Sequence, residues 1–142
     1  MVGVEMMKAV DSGPLAAILE GDPSMKMVVR QLRGVEVAST EISMIELSVR
    51  AHQAPAKNRA ARLRALENLR RKITVLPIDS RAGQEAVRRI GKSGQVGRLY
   101  RTAELAALEV NQCDELLTYD KNLHGNGKWR FKITILRHHA TK

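Results

Sequence analysis

The stretch VEMMKAVDSGPLAAIL, residues 4–19, decides the fold. Its first half is apolar and strand-like. It stops at Asp11, turns through Ser-Gly-Pro and reopens as a second apolar run. A carboxylate placed where a buried strand gives way to a helix needs a reason, because desolvating it is costly unless it is paired or holds a metal. One reason is local: Asp shortly before a Pro in a first turn is a common helix-start signal, so Asp11 reads as a cap. A further role requires other acids to converge on it.

The alternation of strand and helix continues along the chain. Strands are expected at residues 6–10, 35–38, 72–78, 115–118 and 132–136, the third (KITVLPI) marked by its β-branched residues. Between them lie helical stretches at 14–19, 23–32, 42–51, 59–71, 80–90 and 98–112. Ser39 or Thr40 can cap the third of these, and Asp79 or Ser80 the fifth. GKSGQVG, residues 91–97, reads as a flexible loop. The pattern predicts an α/β fold: one domain over residues 1–142, ragged at about 1–5 and 138–142, with a central, mostly parallel sheet of about 4–5 strands flanked by helices. Sites on such sheets form beyond the carboxyl ends of the strands. Asp11, Asp79 and Asp120 each follow a strand, although Asp79 is well explained as a cap.

With 142 residues the chain can bury a proper core, and with 3% aromatics that core must be Leu, Ile, Val, Ala and Met. A single cysteine, Cys113, excludes an internal disulfide and fits a reducing compartment. No apolar run approaches the ~20 residues of a membrane span. The start lacks the pattern of a signal peptide, so a cytoplasmic protein is expected. A net charge of +9 favours polyanionic partners, nucleic acid before an acidic protein. His52, His124, His138 and His139 form no zinc pattern and read as solvated or RNA-facing. No Ser-His-Asp arrangement is visible, and GKSG lacks the spacing of a phosphate-binding loop.

Glu46 lies in ISMIELSVRA among Met44, Ile45, Leu47 and Val49, so partial burial is expected. Its plainer readings are a solvated helix face or an ion pair with Arg50 one turn on. Glu41 points about 140° away on a helix and cannot serve the same site.

Taken in order, AVDSG, SMIELSVRA, RTAE and LLTYD resemble the motifs of PIN domains, the metal-dependent nucleases typified by VapC-like toxins of bacterial toxin–antitoxin pairs. The resemblance runs from residue 7 to about residue 136. It implies that Asp11, Glu46, Glu104 and Asp120 are the catalytic acids and hold Mg²⁺ or Mn²⁺, supported by Ser12, Ser43 and Thr118. Glu104 departs from the pattern, since its interval to Asp120 is short by about one helical turn. An ungapped alignment puts Arg101 or Thr102 there instead, neither a metal ligand; Glu109 is an outside candidate. A lost turn keeps Glu104 on the same helix face, and RTAE resembles the family's Arg-Thr-x-Asp.

A hard ion such as Mg²⁺ takes oxygen ligands and needs only a few carboxylates plus substrate phosphate. It would generate the attacking hydroxide and stabilise charge on the scissile phosphate. Arg98, Arg101 and Lys121, nearest the acids, are the expected RNA contacts, while the basic helix over 59–71 reads equally as a solvated face. The function implied is a metal-dependent endoribonuclease, with a homodimeric state and a small antitoxin that blocks the site, often with an inserted basic side chain. A degenerate PIN-like module that binds RNA or protein without cutting is the alternative, and a DNA nuclease or stand-alone RNA-processing enzyme a third. Carboxylates gathered without an ion repel one another. Glu104→Gln is therefore expected to leave the metal-free protein at least as stable as the wild type.

Overall fold

The computed structural model describes residues 6–123 and 128–137; the expected ragged ends and His124, His138 and His139 lie outside them. Strands β1 (Met7–Val10), β2 (Glu36–Thr40), β3 (Thr74–Leu76), β4 (Glu115–Thr118) and β5 (Lys132–Ile135) form one sheet in the order β3-β2-β1-β4-β5. Every neighbouring pair is parallel. The chain leaves central β1 toward β2 on one side and returns to β4 on the other. The junction of β1 and β4 is thus the point where strand order reverses, the usual place for a site. Val10 pairs with Leu117 in register, which puts Asp11 beside Thr118 one step beyond.

Side chains alternate across the sheet with the period of a strand. Val10 and Leu117 face a core shared with Leu15, Met44, Leu47 and Leu66. These come from α1 (Ser12–Leu19), α3 (Glu41–His52) and α4 (Ala56–Lys72). Ala9 and Leu116 face a second core with Ala38, Leu76, Leu105, Leu108 and Phe131. Leu105 and Leu108 belong to α6 (Leu99–Val110), which packs along α5 (Ser80–Ser93) through Ala86, Ala103 and Ala106. The short α2 (Lys26–Gln31) follows a 3-10 turn over Pro23–Met25. The core is aliphatic, as the composition requires, with Phe131 its buried aromatic ring.

Several boundaries differ from the sequence reading for physical reasons. KITVLPI contributes only Thr74–Leu76, because β3 is an edge strand and Pro77 cannot donate to a ladder. Strand β2 runs on to Thr40, burying Ser39 and Thr40. The expected loop at 91–97 is instead the end of α5, closed by Gly94 at φ 70°, and a 3-10 turn over Val96–Arg98. Asp79 is a cap: its carboxylate accepts from the Ala82 N–H at 3.1 Å, and it takes no part in the cluster at Asp11. Among the described residues no helix is long and apolar enough to cross a membrane.

Candidate active site

Asp11 occupies the N-cap position of α1 with extended backbone, yet its side chain makes no cap bond. The carboxylate turns the other way. Its Oδ2 accepts from Thr118 Oγ1 at 2.6 Å and from Arg101 Nη2 at 2.8 Å. Its Oδ1 is buried with no hydrogen-bond partner. Burial pushes the Asp11 pKa up from its ordinary value, while Thr118 and Arg101 pull against that rise. The cap reading is therefore overturned, and convergence with other groups replaces it.

Glu104, on the first turns of α6, is buried like Asp11, at 5% exposure. Its Oε2 accepts from Thr40 Oγ1 at 2.9 Å and Ser43 Oγ at 2.6 Å. Thr40 also caps α3, accepting from the Ser43 N–H at 3.1 Å, so the end of β2 and the start of α3 are tied to this one carboxylate. The other oxygen, Oε1, accepts from Arg101 Nη1 at 3.0 Å. Asp120, just past β4, lies at 3.6 Å from Arg101 Nε, and its N–H donates to Thr118 Oγ1 at 3.0 Å.

Arg101 is the hub. One guanidinium meets Asp11, Glu104 and Asp120, with Thr118 Oγ1 at 3.3 Å. Burial works against its charge, but the hydrogen bond and charge of Asp11, then those of Glu104, outweigh it and raise its pKa. Beyond burial, the charge of Glu104 also raises the Asp11 pKa, so the expected repulsion is present, but the single positive charge of Arg101 offsets part of it. Arg101, expected to face RNA, is committed to the carboxylates.

Glu46 is exposed, contrary to the burial expected from its neighbours. Helix α3 buries Ser43, Met44, Leu47 and Ala51, which leaves Glu46 on the solvent side together with Ile45 and Val49. It lines a surface hollow with Ser12 and Gly13, separate from the one bounded by Asp11 and Glu104, so the structure does not bring it into the cluster. Arg50 pairs with Glu20 at 2.8 Å rather than with Glu46. Glu109 is held by Arg130, through its N–H at 2.8 Å and its side chain at 3.4 Å, and stands outside the cluster. Arg98, Lys121 and His52 are exposed.

Beside the carboxylates opens a cavity of about 610 Å³ whose lining includes Arg88, Arg89, Arg98, Arg101, Lys128 and Trp129. Arg89 stacks 3.6 Å above the Trp129 ring and donates to the Lys128 carbonyl at 2.6 Å. The sequence reading missed Thr40 as a partner of Glu104, and missed Arg88, Arg89 and Trp129. Only the shared S-T pair before α3 hinted at the first; nothing local marks the others, since they meet across 40 residues of chain.

The chemistry of the donors fits a hard divalent ion: carboxylate oxygens, hydroxyls and the orphaned Asp11 Oδ1. The space does not, because the Arg101 guanidinium occupies the cluster. The hollow bounded by Asp11, Ser39, Thr40, Ser43, Arg101 and Glu104 holds about 10 Å³, the lower limit for one water molecule. As the side chains stand, no three His, Cys, Asp or Glu among the described residues could hold a metal.

The five-stranded parallel sheet flanked by helices is the PIN-like architecture expected, and solved structures share it. The chain is similar over 93% of its length to all of a chain in the structure of VapBC2 from Rickettsia felis bound to a DNA fragment from its promoter, with TM-score 0.72 and 9% identity. In DNA-bound VapBC from Salmonella typhimurium the values are 92% of this chain and 98% of that one, TM-score 0.71 and 14% identity. For VapBC-5 from Mycobacterium tuberculosis the coverage is again 92% and 98%, with TM-score 0.64 and 21% identity. At these identities the likeness is one of fold. No family model and no curated protein matches the sequence.

Proposed function

We propose that the chain is a Mg²⁺- or Mn²⁺-dependent endoribonuclease, the toxin of a toxin–antitoxin pair, hydrolysing RNA phosphodiester bonds in the cytoplasm. The observation that carries this reading is the convergence of Asp11, Glu104 and Asp120 on one cation at the carboxyl ends of a parallel sheet. Those three acids would hold the ion, with Glu46 the further ligand that the resemblance implies. When bound, the ion supplies a nucleophilic water and neutralises charge building on the scissile phosphate. Thr118 fixes Asp11, and Thr40 and Ser43 fix Glu104, so these acids are oriented before substrate arrives. Arg98 and Lys121, both exposed, would meet backbone phosphates.

An antitoxin and a second copy of the chain are the partners this reading brings with it. The fold shared with the VapBC structures supports the first, and the resemblance alone suggests the second. The test is cleavage of structured and single-stranded RNAs with Mn²⁺ against chelator. Asp11→Asn is expected to abolish cleavage while its circular-dichroism spectrum stays that of the wild type. Undiminished cleavage by the folded variant removes Asp11 from the site.

A second reading has its own support: Arg101 fills the carboxylate cluster and Glu46 is exposed, as in a module that binds RNA or protein without cutting. Absence of both metal response and cleavage in the wild type, with RNA binding retained, selects it.

A further inference from the structure

Taking RNA as the substrate, we propose that the basic cavity beside the carboxylates is a nucleotide subsite. One unpaired base stacks on the Arg89–Trp129 pair, while Lys92, Arg98 and Lys128 take the phosphates on either side of it.

The cavity, at about 610 Å³, has the size of an ordinary ligand pocket. Among the described residues its lining holds six cations and no Asp or Glu. Half of those cations are already engaged, Arg88 and Arg89 by Glu85 and Arg101 by the carboxylates. Lys92, Arg98 and Lys128 are exposed and have no acid partner among the described residues. Three unengaged cations around one hollow favour an anion within it.

A phosphate alone leaves the rest of the lining without a use. The Arg89 guanidinium lies 3.6 Å above the Trp129 ring, held there by Glu85 at 2.7 Å and by the Lys128 carbonyl at 2.6 Å. A flat cation pinned to a flat ring is a stacking surface already assembled, since bases pack on guanidinium planes as well as on aromatic rings. Both members of the pair line the cavity, and Arg89 keeps 20% of its side chain exposed. Ile90, Leu105 and Leu123 add apolar surface, and the amides of Gln95 and Asn122 supply donors and acceptors for a base edge. The carboxylates of an acidic protein would answer the cations and leave the stacked pair idle, so a nucleotide fits better. Arg101 and Leu105 line both this cavity and the hollow at Asp11. The subsite therefore adjoins the carboxylates, and the base it holds neighbours the bond that the nuclease reading would cut.

Trp129 is the only tryptophan of the chain, so its fluorescence reports on the subsite directly. The experiment titrates the protein in chelator with a short single-stranded oligoribonucleotide, an abasic strand of the same length and an oligoglutamate peptide. The base-bearing strand is expected to quench Trp129 and to bind about fivefold or more tightly than the abasic strand, which offers phosphates alone. Arg89→Lys keeps the charge and loses the plane, so it should abolish that preference and bind the abasic strand as the wild type does. Lys92→Gln and Arg98→Gln should weaken both strands alike and lower the salt slope by about 0.7 each. Equal affinity of the wild type for the two strands overturns the subsite. So does quenching by oligoglutamate equal to that by RNA, which would assign the cavity to an acidic protein. A folded Arg89→Lys that keeps the full preference also overturns it; if that variant does not fold, the wild-type comparison of strands decides alone. Cleavage of RNA with Mn²⁺, measured separately, keeps the two ideas apart. Base-dependent binding without cleavage keeps the subsite and removes the nuclease; cleavage without base dependence keeps the nuclease and removes the subsite.

Discussion

Thr118 Oγ1 donates to Asp11 and accepts from the Asp120 N–H, so one hydroxyl sets the acids beyond β1 and β4 relative to each other. Glu104 is fixed as firmly, by Thr40, Ser43 and Arg101. Its ion pair with Arg101 decides the sign of a mutation. Glu104→Gln removes a charge that Arg101 uses and leaves the two hydroxyls facing an amide, so the metal-free protein should lose about 1–3 kcal/mol. Urea unfolding in chelator measures this; a variant as stable as the wild type would mean that the carboxylates repel more than Arg101 repays. Sequence made Asp11, Glu104 and Asp120 legible because each follows a strand or opens a helix in the order of known motifs. It could not show that Arg101, three residues before Glu104, turns inward, since that depends on Asp11 lying 90 residues away.

Among the elements, α6 ends in a way that invites a test. The Cys113 N–H reaches the Leu108 carbonyl at 3.0 Å and the Gln112 N–H the Glu109 carbonyl at 3.1 Å, with Gln112 at φ 57°. This closure places a left-handed residue where glycine is favoured. Gln112→Gly should therefore cost little or stabilise by up to about 1 kcal/mol, read as a rise in melting temperature. On α5, Glu85 accepts from Arg88 and from Arg89, the latter at 2.7 Å, and Arg88 first among them holds its pKa down to about 2. The folded value lies below the unfolded 4.5, so this contribution is present above pH 4.5 and lost as pH falls toward 2. With Glu85 on a solvated helix face, Glu85→Gln should cost about 0.5–1 kcal/mol at neutral pH and nothing near pH 2. Equal losses at both pH values would show the pair to be energetically silent and the effect to be packing. Elements of this kind were readable where propensity and burial agree, as in α6 and β4. They were misread in α3, where exposed Ile45 and Val49 mimic a buried face around Glu46, and in β3, where Pro77 cuts a strand that composition favoured.

Across the molecule, if the chain binds RNA as proposed, a charge of +9 with few aromatic residues makes phosphate contact the expected main source of that affinity. Affinity for single strands should fall with salt by about 0.7 log units per log unit of salt for each phosphate contact. Filter binding over a salt series checks this, and a flat response would assign the charge to an acidic protein partner. The sequence alone carried the sheet order only as far as its alternation of strands and helices. Which strand lies at the centre depends on pairings made across the whole chain.

The distances along the chain between the members of the carboxylate cluster have a consequence for the order of events during synthesis. Asp11 leaves the ribosome well before its partners, since Arg101 and Thr118 follow it by 90 and 107 positions. A nascent chain can pair β1, β2 and β3 while Asp11 still lacks every partner that orients it. Only when α6 has emerged and β4 has slid in beside β1 does the carboxylate acquire its neighbours. Fragments from stalled or prematurely ended translation before residue 99 therefore carry the first acid without Arg101, Glu104, Thr118 or Asp120.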